Sequence, residues 1–82
     1  MSIRQVKAAR ALLDWSQDEL ATRSNISLTT VKRLEAADGE VGGRPETVSS
    51  LVATLEDAGI EFIPENGGGA GVRLVKRQRR TK

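Results

Sequence analysis

Residues 15–37 read WSQDELATRSNISLTTVKRLEAA, and the spacing within this stretch decides the fold. Ser16 stands three residues before Glu19. In that capping-box arrangement the serine hydroxyl accepts from the Glu19 amide while the carboxylate reaches back to the Ser16 amide. Trp15 before the cap and Leu20 in the first turn are placed as a hydrophobic staple, so a short helix starts at Gln17. It runs to Arg23 or Ser24, because Asn25 tolerates the left-handed conformation of an abrupt stop. Ser27 then caps another helix, LTTVKRLEAA, with Ile26 as staple to Val31. Two helices joined through so few residues must cross at a large angle.

Upstream, Ile3, Val6, Ala9, Leu12 and Leu13 recur at three- and four-residue spacing, which predicts an amphipathic helix from about Ser2 to Leu13 with Ser2 as its N-cap. Downstream, DGEVGGR at 38–44 is a loop. Pro45 suits the first position of a fourth helix, whose apolar stripe is Val48, Leu51, Val52 and Leu55 and which ends before Gly59. The period then changes. IEFI at 60–63 and VRLVK at 72–76 alternate about the turn-rich PENGGGAG, which predicts an antiparallel hairpin. A lone hairpin is marginal in water, so it should pack on the helices or pair with another copy. The expected architecture is mainly α: four to five short helices at residues 1–59, a β-hairpin at 60–76 that could serve dimerisation, and a basic flexible tail at 77–82.

Eighty-two residues suffice for one domain. The absence of cysteine and histidine removes disulfides, zinc ligation by thiolate or imidazole, and the catalysis that depends on those side chains. No cofactor or metal is expected, and no enzyme activity. No apolar run has signal-peptide character or approaches the roughly 20 residues of a membrane span, which makes the cytoplasm the expected location. The formal charge is +2, yet residues 1–65 hold seven basic residues against all eleven acids, and residues 66–82 hold six basic residues and no acid. A basic end of this kind suits an anionic polymer. The glycines at 67–71 match neither a dinucleotide fingerprint nor a P-loop. Asp14, Asp18 and Glu19 are accounted for by helix N-termini, which favour acids. With Trp15 assigned to the core, only Phe62 could stack on single-stranded bases, so duplex DNA is the expected nucleic acid.

In the helix that follows Ser27, Val31 and Leu34 mark the buried direction. Thr29, Lys32, Arg33 and Ala36 lie opposite, with Leu28 and Thr30 on the flanks. Arg33 could fork to guanine, Lys32 could reach guanine or phosphate, and Thr29 or Leu28 could touch a thymine methyl. Two short, tightly linked helices with such an outer face describe a reader of the major groove.

From WSQDELA through the recognition-helix pattern S-x-x-T-V-x-x-L-E to the glycine-rich loop, the chain resembles the DNA-binding domain of the phage repressor and Cro superfamily, the XRE-type regulators, over roughly residues 3–59. The resemblance implies that Ser27, Leu28, Thr29, Lys32 and Arg33 face base edges. It also implies phosphate contacts by Gln17, Thr30 and Arg44, with Gln17 bracing the recognition helix as well. Arg10 and Glu35 match a partly buried structural ion pair. Asn25 stands where glycine is frequent, and the hairpin and tail lie beyond the common core. The function implied is a sequence-specific, double-stranded DNA-binding transcriptional regulator that acts as a homodimer on an inverted repeat. The alternative is an antitoxin or protein-interaction module of the same fold, which sequesters a partner through the hairpin.

Overall fold

The computed structural model describes residues 1–75, so the tail expected at 77–82, and Lys76 of the second strand, lie outside the described residues. Four helices, α1 (Ile3–Leu13), α2 (Gln17–Ser24), α3 (Leu28–Ala36) and α4 (Pro45–Asp57), precede two strands, β1 (Ile60–Ile63) and β2 (Gly71–Leu74). The mainly α class with a terminal hairpin is as the sequence predicts, and among the described residues the helices number four.

Serines start the first three helices. The hydroxyls of Ser2, Ser16 and Ser27 accept from the amides of Arg4, Glu19 and Thr30. Asp14 and Asn25 end α1 and α2 in the left-handed region, at φ 59° and 61°. The box at Ser16 is only half formed. The Glu19 carboxylate turns instead to Arg23 one turn along, and the Arg23 guanidinium lies 4.6 Å from the centroid of the Trp15 ring. That cation–π contact, added to the pairing of residues four apart, draws Glu19 away from the Ser16 amide. The reciprocal box stands at Ser2, whose amide donates to the Gln5 side chain at 2.9 Å.

Ile3, Val6, Leu20, Val31, Leu51 and Leu55 are the large side chains sealed in the core, one or two from each helix. Trp15 is half-buried against this cluster. The 38–44 segment is tied to the N-terminus. Ile3 donates to the Gly39 carbonyl at 2.8 Å, Val41 donates to Met1 at 2.9 Å, and the terminal amine meets Glu40 at 2.9 Å. Ser50 of α4 donates to the Ser24 carbonyl at 2.7 Å, which satisfies a terminal acceptor of α2 and fixes α4 behind the α2–α3 turn.

The strands pair Ile60 with Leu74 and Phe62 with Val72. The second strand begins one residue earlier than the sequence predicts, because Gly71 pairs with Ile63. Gly59, at φ +111°, swings the chain from α4 into β1; a Cβ there would stand 3.4 Å from Leu74. Ile60 joins the helical core, and buried Gln5 donates to the carbonyls of Ile63 at 3.3 Å and Gly71 at 2.9 Å, so the hairpin docks on α1 and α4.

Candidate nucleic-acid interface

The orientation of α3 is set from behind. Val31 is 1% exposed and Leu34 7%, and their burial turns Thr29, Lys32 and Arg33 to solvent. Among the described residues no carboxylate lies within ion-pairing distance of Lys32, Arg33 or Arg44. Three cations on one side of a domain, none neutralised internally, leave a positive potential for an external anion.

A polar network holds the helix from the other side. Glu35, 5% exposed, accepts from Arg10 Nε at 3.0 Å, from Arg10 Nη2 at 2.8 Å and from Gln17 Nε2 at 2.9 Å. Arg10 also donates to the Trp15 carbonyl at 2.8 Å. One carboxylate thus joins α1, the start of α2 and the end of α3. Arg10 of α1 and Gln17 of α2 both hold the carboxylate near the end of α3.

The remaining site residues are placed less uniformly. Ser27 is exposed, but its hydroxyl accepts from the Thr30 amide at 3.1 Å and donates to the Thr30 hydroxyl at 2.9 Å. That pair first shapes the start of α3 and has only residual hydrogen-bonding capacity for DNA. Leu28 is half-buried against the core, so only part of its side chain is open to a thymine methyl. Arg44 is the N-cap residue of α4 and provides no side-chain cap, while Pro45 occupies the first turn. Pro45 has no N–H, and the Thr47 and Val48 amides donate to the Arg44 carbonyl at 3.0 and 3.1 Å, so what the start of α4 offers beside Arg44 is chiefly the positive end of its dipole.

Between α3 and the start of α4 runs an open groove of about 520 Å³, lined by Thr30, Arg33, Leu34, Gly43, Arg44 and Thr47. It brings Arg33 and Arg44, eleven positions apart in sequence, to one concavity. Thr47 was not legible as a site residue. Its only signal is the place three positions after an N-cap residue whose side chain cannot cap.

A family model described as helix-turn-helix matches residues 6–53, more than half of the chain. The chain belongs to the XRE-type helix-turn-helix family. It is therefore a DNA-binding regulator, with α2 and α3 as the motif and α3 as the helix presented outward. No curated protein matches it. No described helix is long and apolar enough to cross a membrane.

Proposed function

We propose that this helix-turn-helix protein regulates transcription by sequence-specific binding to double-stranded DNA, as a homodimer on an inverted-repeat operator. The observation that carries the reading is the outer face of α3, where exposed Thr29, Lys32 and Arg33 stand with no internal carboxylate partner. In this reading Thr29, Lys32 and Arg33 read base edges, with Ser27 and Leu28 contributing at the helix start. Gln17, Thr30 and Arg44 meet the phosphates on either side. One such helix spans only a few base pairs, so two copies on half-sites about 34 Å apart supply the specificity.

Selection of bound duplexes from a random pool tests this directly. Recovered sequences should show two-fold symmetry with one half-site spacing. A pool that stays random, or protein that ignores duplex DNA even at low salt, would turn the reading to sequestration of a protein partner. Arg33→Ala should weaken operator binding by about 1 to 3 kcal/mol and relax preference at a single base position. A loss uniform over all sequences would assign Arg33 to phosphate, together with Arg44 across the groove. Truncation after Val75 removes five basic residues. If they meet phosphates, the slope of log affinity against log salt becomes shallower by about 0.9 for each phosphate no longer neutralised.

A further inference from the structure

We propose that the Asn66–Gly67 peptide in the hairpin loop is a self-modifying site. The asparagine side chain closes on the following backbone nitrogen, loses ammonia and hydrolyses to an exposed isoaspartyl linkage, which an isoaspartyl carboxyl methyltransferase takes as substrate. The loop between the strands runs through residues 64–70, and every one of them is exposed. Gly67 stands at φ +99°, and a Cβ built there would meet nothing within 4 Å. Gly68 and Gly69 are equally open. Among the described residues the Gly67 amide donates to no backbone carbonyl. The nitrogen that must attack is therefore unhindered, and the glycines after it leave the chain free to rotate into the closing geometry.

The reaction balances with water alone, without oxidant or reductant. Solvent base removes the Gly67 amide proton, the nitrogen adds to Cγ of Asn66, and the Cγ–Nδ2 bond breaks to release ammonia, leaving a five-membered cyclic imide. Water then opens the ring. Cleavage between nitrogen and Cγ gives a normal aspartyl linkage. Cleavage between nitrogen and the main-chain carbonyl carbon instead carries the chain through Cγ and leaves the α-carboxylate free. The methyltransferase moves a methyl group from the sulfonium of S-adenosylmethionine to an oxygen of that carboxylate, and the sulfonium becomes a thioether.

Elsewhere in the chain the same closure is blocked. Asn25 and Asn66 are the asparagines of the sequence. Asn25 is also exposed, but the nitrogen after it belongs to Ile26, which donates to the Ala21 carbonyl at 3.0 Å and carries a branched Cβ. Asp38 precedes Gly39, but a carboxylate is a far poorer electrophile than an amide at neutral pH. The Gly39 carbonyl is held as well, by the Ile3 amide at 2.8 Å. The consequences of modification at Asn66 stay within the loop. Ile63 pairs with Gly71 at the loop mouth and Gln5 donates to both carbonyls, so the added main-chain carbon and the new negative charge fall outside the ladder.

Ageing the folded chain in neutral and in mildly alkaline buffer tests the site. Peptide mass spectrometry should show Asn66 converted from amide to acid over days, faster as hydroxide rises, with release of an equivalent of ammonia. Isoaspartyl methyltransferase supplied with methyl-labelled S-adenosylmethionine should then label the aged protein at this peptide. Asn66→Gln should remove the label, and Gly67→Ala should slow its appearance by about an order of magnitude, because a Cβ crowds the attacking nitrogen. The thermal midpoint followed by helical circular dichroism should not move as the label accumulates. The proposal is overturned by an Asn66 that stays intact in the folded chain while converting in urea, or by conversion of Asn25 at the same rate or faster. Label that persists in Asn66→Gln, or a midpoint that falls with conversion, overturns it equally. None of these readouts involves DNA, so the outcome is separate from the reading of α3.

Discussion

Glu35→Ala should destabilise the fold by about 3 to 5 kcal/mol, and Arg10→Ala by at least as much. The Glu35 carboxylate is nearly sealed and takes three donated hydrogen bonds. Removing it leaves the Arg10 guanidinium with the Trp15 carbonyl alone; since Arg10 retains 21% exposure, water recovers part of that loss. Removing Arg10 is the harsher change, because the charge left behind is the buried one and Gln17 is its remaining protein partner. A chain of this length has roughly 4 to 12 kcal/mol of stability at 0.05–0.15 per residue, so either change consumes a large share. Each kcal/mol lowers the melting temperature by about 4 to 8 °C in a domain of this size. Thermal unfolding followed by circular dichroism checks the expectation; a loss of only a few degrees would mean that the pair behaves as a solvated surface bridge. The paired replacement Arg10→Met with Glu35→Leu should recover much of the loss, since it leaves no buried charge unmatched. Operator binding should follow stability only in part, because Glu35 also sets where α3 lies relative to α1 and α2.

The features that were legible in the sequence are those written in local chemistry. Ser16 and Ser27 mark the starts of α2 and α3, and Asn25 the stop of α2, because capping and left-handed stops depend on immediate neighbours, whereas α3 ends at Ala36, one residue before the sequence predicts. The outward face of α3 follows from Val31 and Leu34 by helical period alone. What escaped was decided by competition or by distance. Glu19 had two partners within reach, its own cap and Arg23, and local spacing does not rank them. Gln5 carries no pattern that announces contacts 58 and 66 positions away, and Ser50 none that points to Ser24. The groove shared by Arg33 and Arg44 depends on the path of the 38–44 loop, which is fixed by its bonds to Met1, Ser2 and Ile3. Arg44 came from the family resemblance, and Thr47 had no such guide.

Ile60→Ala should destabilise the whole domain by about 2 to 5 kcal/mol, the range for truncating a buried isoleucine to alanine. Ile60 is 3% exposed and belongs to the same core as Leu51 and Leu55 of α4 and Ile3 of α1, although its strand lies outside the matched segment 6–53. The hairpin is therefore more than an appendage to a helical domain. It closes the core over α1 and α4, and the Gln5 amide, 7% exposed, bonds to the two carbonyls at the mouth of its loop. Losing the Ile60 side chain opens a cavity between helix and sheet that backbone already tied at Gly59 and Gln5 cannot readily fill. Urea unfolding followed by both helical ellipticity and Trp15 fluorescence should give one coincident transition at a lower midpoint. If the helical transition stayed where it is in the unaltered chain while only protection of the β1 and β2 amides from hydrogen exchange was lost, the hairpin would be a separable unit and residues up to Gly59 would fold without it. The coincident outcome means that the hairpin and the helices unfold as one cooperative unit, held together at Ile60 and Gln5.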